Sequence, residues 1–247
     1  MDILPYFENI NELNEYLTLF PDSDKLFVEH QSWLKEHFLP LISIDLGMLN
    51  DDWRGQVVHM LNPFEPDDGY IGECTHEYHN EFTGENWFAF KLTNDNRYEF
   101  LGDEKYFLRA HDCKNPDGSY DDNLEQIADY QKQKALFKEH GFIVNANFPK
   151  HLDKDWNKES FLDELGGGFS YGNWANYDTP SAFHKTRLKQ VDDDTPNDGI
   201  SITYEGNPFY FIGGVPSYHY CTGFGGAYIM MMYEPVSRIV LFTFDYS

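Results

Sequence analysis

The spacing of apolar residues changes along the chain, and the changes predict the elements. From Asn9 to Phe20, apolar residues fall at Ile10, Leu13, Tyr16, Leu17 and Phe20, a helical spacing closed by Pro21. Asp22 or Ser23 can cap a second stretch carrying Leu26, Phe27, Trp33, Leu34 and Phe38, which runs to Pro40. Together they predict an N-terminal helix pair. Short apolar runs follow at 40–46, 54–61, 86–93, 97–101 and 105–110, separated by Asn/Asp/Gly turns, and read as strands in a meander. A third helical pattern starts at Asp122, with Glu125 three residues on. It carries Leu124, Ile127, Ala128, Ala135, Leu136 and Phe137 and stops at Gly141, so a central helix is expected at about 122–140. Beyond it, 142–148, 182–191 and 200–204 read as strands, with a short helical piece from Ser160.

The end of the chain has a different texture. Phe209–Ile212, Tyr228–Met232 and Arg238–Phe244 are unbroken apolar runs, rich in β-branched and aromatic residues. Such runs suit strands buried on both faces. Glu234–Pro235–Val236–Ser237 suits the turn of a hairpin. A weak echo links Leu165–Gly166–Gly167 to Ile212–Gly213–Gly214. The pattern as a whole predicts an α+β fold, with an antiparallel meander sheet and a few helices, as a single domain over 1–247.

Charge changes the picture. With 42 acidic against 18 basic residues the net charge is −24. This disfavours nucleic acid, whose phosphates need basic surface, and anionic membrane; it favours a basic partner or cations. Residues 1–100 carry 20 acids and 5 bases, so the acidity is concentrated near the front. Between Arg54 and Lys91 there is no Lys or Arg, while Glu65, Asp67, Asp68, Glu73, Glu77, Glu81 and Glu85 alternate with Phe64, Tyr70, Tyr78, Phe82 and Trp87. Carboxylates steer encounter with a cationic surface, and Tyr and Trp supply rigid anchors at an interface. The expected partner-binding residues are Glu65, Asp67, Asp68, Tyr70, Glu73, Glu77, Tyr78, Glu81 and Trp87. The first residues show no leader pattern, no run of about 18 apolar residues appears, and three cysteines make no disulfide framework. A cytoplasmic location is expected.

Catalytic patterns are thin, and neither enzyme activity nor a cofactor is expected. Gly168–Phe169–Ser170–Tyr171–Gly172 matches G-x-S-x-G, but a triple glycine stands where the strand of a nucleophile elbow belongs. Cys74, His76 and His79, with His111 and Cys113, offer soft donors without a standard zinc spacing. The alternative to a binding protein is a hydrolase using Ser170 or a metal held by these residues. Asp192–Asp194 and Asn115–Gly118 lack the ligand alternation of a calcium loop. Cys221 lies two residues from His219, a proximity that by itself makes no thiol–imidazole pair.

The strong acidity, the Glu65–Glu85 acidic–aromatic segment and the ending Ser237–Tyr246 resemble, in general character, the cytosolic immunity proteins of bacterial polymorphic toxins. The resemblance implies a non-catalytic, antitoxin-like inhibitor. Such a protein covers the active site of a basic toxin domain, a nuclease being one such target, and binds it tightly.

Overall fold

The computed structural model describes residues 4–64, 70–111, 119–145, 150–152, 154–169, 172–187, 199–221 and 227–246. In chain order the strands are β1 (Tyr6–Ile10), β2 (Leu17–Leu19), β3 (Phe38–Asp45), β4 (Val57–Pro63), β5 (Thr83–Gly84), β6 (Trp87–Leu92), β7 (Tyr98–Phe100) and β8 (Ile143–Val144). They continue as β9 (Lys158–Glu159), β10 (Leu162–Gly166), β11 (Phe183–Arg187), β12 (Ile200–Tyr204), β13 (Asn207–Pro208), β14 (Tyr210–Pro216), β15 (Tyr228–Glu234) and β16 (Ile239–Asp245). One α-helix, α1 (Ser119–His140), stands among the described residues.

An eight-stranded antiparallel sheet runs β1-β10-β14-β15-β16-β6-β5, with β7 also on β6. Among the described residues there are also two three-stranded sheets, β2-β3-β4 and β11-β12-β13, and the pair β8-β9. Alternation along the long strands sorts their side chains onto two cores. Ile229, Met231, Tyr233, Val240, Phe242, Phe88 and Phe90 fall in one core, which also takes the apolar residues of β2, β3 and β4. Met230, Met232, Ile239, Leu241, Trp87 and Ala89 point into the other, with Phe183, Ile202 and Phe209 of the β11-β12-β13 side. A strand with a core on each face needs no polar alternation, which is why these runs are apolar throughout. The β15–β16 turn is closed by Glu234, a fully buried carboxylate that accepts the Val236 and Ser237 N–H groups at 2.6 and 2.7 Å. The echoed stretches meet one another: Leu165 pairs with Gly213 and Glu164 with Gly214. A Cβ at Gly214 would fall 2.4 Å from the Tyr228 ring, so any larger residue at this strand position would have to displace that ring.

The α+β expectation needs correction, because the molecule is mostly antiparallel sheet and its N-terminal helix pair is absent. Leu17 and Leu19 bury on alternate positions as β2 hydrogen bonds to β3, while Leu13, part of the expected stripe, is 46% exposed. The stretch after Asp22 forms only 3-10 turns, Ser23–Lys25 and Glu29–Glu36. The second turn breaks at Gln31, whose side chain accepts from Phe100 N–H at 2.7 Å and donates to Phe100 C=O at 3.0 Å. A tertiary pairing here outweighs local propensity. Residues 105–110 are likewise 3-10 turns, not a strand, and the stretch after Ser160 becomes β10, not a helix.

Helix α1 is present and ends as expected, with Gly141 at φ +79° and its N–H on Phe137 C=O at 2.7 Å. Its buried side is only partly the apolar stripe, from which Ile127 and Phe137 pack against the core. Asn123, Gln126, Tyr130 and Gln133 face inward, and Leu124 is half exposed. Two hydrogen bonds hold the helix in place: Tyr130 Oη to Pro40 C=O and Gln133 Nε2 to Val144 C=O, both 2.5 Å. None of the helices among the described residues is long and apolar enough to cross a membrane.

Candidate partner-binding face

The acidic segment folds over the edge of the large sheet next to β5 and β6, and a buried tyrosine sets its position. Tyr106 Oη lies 3.0 Å from both the Gly84 and Trp87 carbonyl oxygens and donates to them. Thr75 Oγ1 donates to the Tyr106 carbonyl at 2.7 Å. Thr75 sits at the bend of the 3-10 turn Glu73–Tyr78. Gly72 opens that turn at φ +80°, where a Cβ would meet the Tyr106 ring at 2.7 Å, so the turn packs against Tyr106 only with glycine there. Asn86 fixes the far end: its N–H reaches Ile71 C=O at 2.8 Å and its Nδ2 reaches Phe244 C=O at 2.7 Å.

This scaffold brings together three half-buried tyrosines from distant parts of the chain. The Tyr70 ring stands edge-on to Tyr177 at 4.7 Å and to Tyr246 at 4.9 Å. Glu73 turns back to accept the Tyr70 N–H at 3.1 Å. Burial raises the Tyr177 pKa, and so do a hydrogen bond with the Tyr70 hydroxyl and the negative charges of Glu85 and Glu73. Two carboxylates therefore act on the tyrosine group itself. Lys185 supports it from behind, donating to Ala175 C=O at 2.7 Å and to Tyr177 C=O; burial lowers its pKa. Asn173 Nδ2 holds the Tyr246 carbonyl at 3.2 Å.

A second cluster lies at Tyr78, whose pKa is raised by the neighbouring Glu77, by burial and by Asp103. Lys105 Nζ is already 5.4 Å from the Tyr78 ring centroid, an internal cation–π pair. No cation lies over Tyr70 or Tyr177 among the described residues.

The expected residues divide accordingly. Tyr70, Glu73, Glu77, Tyr78 and Glu81 are half-buried or exposed on this side of the molecule. Glu65, Asp67 and Asp68 lie outside the described residues. Trp87 is a correction: it is 0% exposed in the second core, 5.9 Å from the Trp174 ring, and cannot anchor a partner without unpacking that core. The reason is its strand: Trp87 opens β6, where alternation turns it inward. Tyr177 and Tyr246 were missed by sequence reasoning. Tyr177 does lie in the aromatic stretch after the glycine triplet, but nothing local to either residue signals a meeting with Tyr70.

The competing donors have other tasks. His79 Nε2 is 2.8 Å from Gly72 C=O, His111 Nε2 is 2.8 Å from Lys105 C=O, and His76 Nε2 is 3.5 Å from Glu85. Among the described residues no group of three or more His, Cys, Asp or Glu side chains is arranged to hold a metal ion. Cys113, Ser170, Asp192–Asp194 and the Asn115–Gly118 turn fall outside the described residues. Cys221 is buried, its thiol pushed up to about 12 by burial and by Asp129, which is the reverse of nucleophile activation. Comparison with protein-family models, curated proteins and solved structures finds no match for this chain, so a functional reading has to rest on the chemistry of the site.

Proposed function

We propose that the protein is a non-catalytic binding protein of the cytoplasm that captures a basic protein partner, as an immunity-type inhibitor of a toxin domain would. The observation that carries this reading is the Tyr70–Tyr177–Tyr246 group with Glu73 and Glu85 acting on it. An aromatic face backed by carboxylates attracts an Arg or Lys head through ring quadrupole and charge together. Exposed Glu77 and Glu81 extend the negative field outward, where it speeds encounter with a basic surface. Covering cationic catalytic or nucleic-acid-binding residues of a toxin is the inhibition such a face would achieve.

The test is affinity capture from the protein's own cells, washed at about 0.1 M and then about 0.5 M salt, since exposed charge pairs are strongly screened at the higher value. A basic, stoichiometric partner retained through both washes is the expected result. Charge reversal of Glu73, Glu77 and Glu81 together should slow its association about tenfold and flatten the salt dependence. An unchanged on-rate removes this face from the account.

A further inference from the structure

The opposite chemistry occurs elsewhere in the molecule. A cavity of about 510 Å³ lies between the β2–β3 connection, Phe64 beyond β4, Arg109 and the inner side of α1. Its apolar lining includes Phe20, Phe38, Phe64 and Ile127. Three cations, Lys35, Arg109 and Lys134, share that lining in a chain that carries only 18 bases.

The three are not equivalent. Lys35 is answered by Asp24 at 2.5 Å. Arg109 lies over the Phe64 ring, its guanidinium carbon 4.5 Å from the centroid, and its charge helps depress the pKa of the buried His37 next door. Lys134 is half-buried and forms no ion pair or hydrogen bond with any described residue. Two acids, Asp22 and Glu36, also line the cavity; both are exposed, and Asp22 is engaged with the Asp24 N–H and with Lys25 at 3.7 Å. The chain's net charge repels anions at a distance. That field decays over about 10 Å at 0.1 M salt, whereas contacts inside a half-enclosed cavity are screened much less.

We propose that this cavity binds a small amphipathic anion, with an aromatic or aliphatic body among Phe20, Phe38, Phe64 and Ile127 and an acid head toward Lys134 and Arg109. The volume suits a small organic ligand, and an apolar lining with a few placed charges is how such sites combine affinity with orientation. The ligand class is distinct from the basic partner of the tyrosine face, and neither reading depends on the other.

The probes are anilinonaphthalene sulfonate, followed by its fluorescence on the native protein, and octanoate as competitor. One equivalent of the dye should bind, octanoate should displace it, and neutral octanol of equal chain length should displace it at least tenfold less well. Lys134→Gln should weaken binding about tenfold, as expected for loss of a charge-assisted contact. Lys138→Gln, an exposed lysine of the same helix outside the cavity, should leave binding unchanged. Arg109→Gln is the second variant, compared with Arg109→Lys, which keeps the charge. The proposal is overturned if the native protein binds no dye, if octanol competes as well as octanoate, or if Lys134→Gln and Arg109→Gln both bind like wild type.

Discussion

Two regions of this protein are dense in aromatic residues, and they use them in opposite ways. In the centre of the large sheet Phe88 stacks on Phe242 at 5.2 Å, and both rings are fully buried among neighbours that carry no charge. At the sheet edge Tyr70, Tyr177 and Tyr246 pack as closely, yet they stay half exposed, with carboxylates in electrostatic reach. The number of rings does not separate a core from an interface. What separates them is whether a hydroxyl reaches water and whether a fixed charge stands beside the ring. Trp87 marks the boundary: it adjoins the acidic segment in sequence and belongs wholly to the core in space.

The largest effect that would sharpen this contrast is on stability. Phe242→Ala should cost about 3–5 kcal/mol in urea denaturation, through lost burial and a residual cavity. A loss below about 1 kcal/mol would mean that the sheet centre is not the framework.

Acid should strike the same framework. His59 is buried with Nε2 on Asn96 C=O at 2.7 Å and Nδ1 at 2.8 Å from Ser43 Oγ, and burial lowers its pKa to about 4. His37, lowered to about 4 by burial and by Arg109, behaves alike. Both pKa values are depressed relative to the unfolded chain at about 6.5, so the unfolded state binds protons first as pH falls. Stability is therefore full above about 6.5 and declines toward pH 4, by about 2 kcal/mol per histidine at pH 5. Urea midpoints at pH 7 and 5 measure it; replacing His59 with a neutral residue of similar size should remove about half of the difference.

The edge should respond in binding instead. Tyr177→Ala should weaken capture of the basic partner about tenfold by surface plasmon resonance, while its urea midpoint moves little. The smallest expected change is the most discriminating: Trp87→Phe should lose about 1–2 kcal/mol of stability yet leave association within about twofold of wild type. If Trp87→Phe and Tyr177→Ala weakened binding equally, the two regions would be one.

Much of this architecture was legible in the chain. The unbroken runs at Tyr228–Met232 and Arg238–Phe244 announced strands with a core on each side, and Gly141 marked a helix end. The N-terminal third departs from its local pattern for an identifiable reason. Its helical spacing is real, but Gln31 is claimed by the Phe100 backbone and Leu17–Leu19 by β3, and both partners lie far along the sequence. The candidate face was half legible. Tyr70, Glu73 and Glu77 could be named from charge and ring content, whereas Tyr177 and Tyr246 join them only through sheet closure. The cavity on α1 had no visible signature, because its cations come from three separate elements and the helix buries Asn123, Gln126 and Gln133 beside the stripe residue Ile127.

The tyrosine group joins residues 70, 177 and 246, and Tyr246 directly follows β16, which pairs with both β15 and β6. Contacts that span so much sequence form late and slowly in folding. Competence to bind should therefore lag behind collapse in a refolding experiment and appear together with the last sheet pairing. A chain halted before that step would be compact and acidic and yet inert toward its partner, so the face doubles as a readout of completed folding.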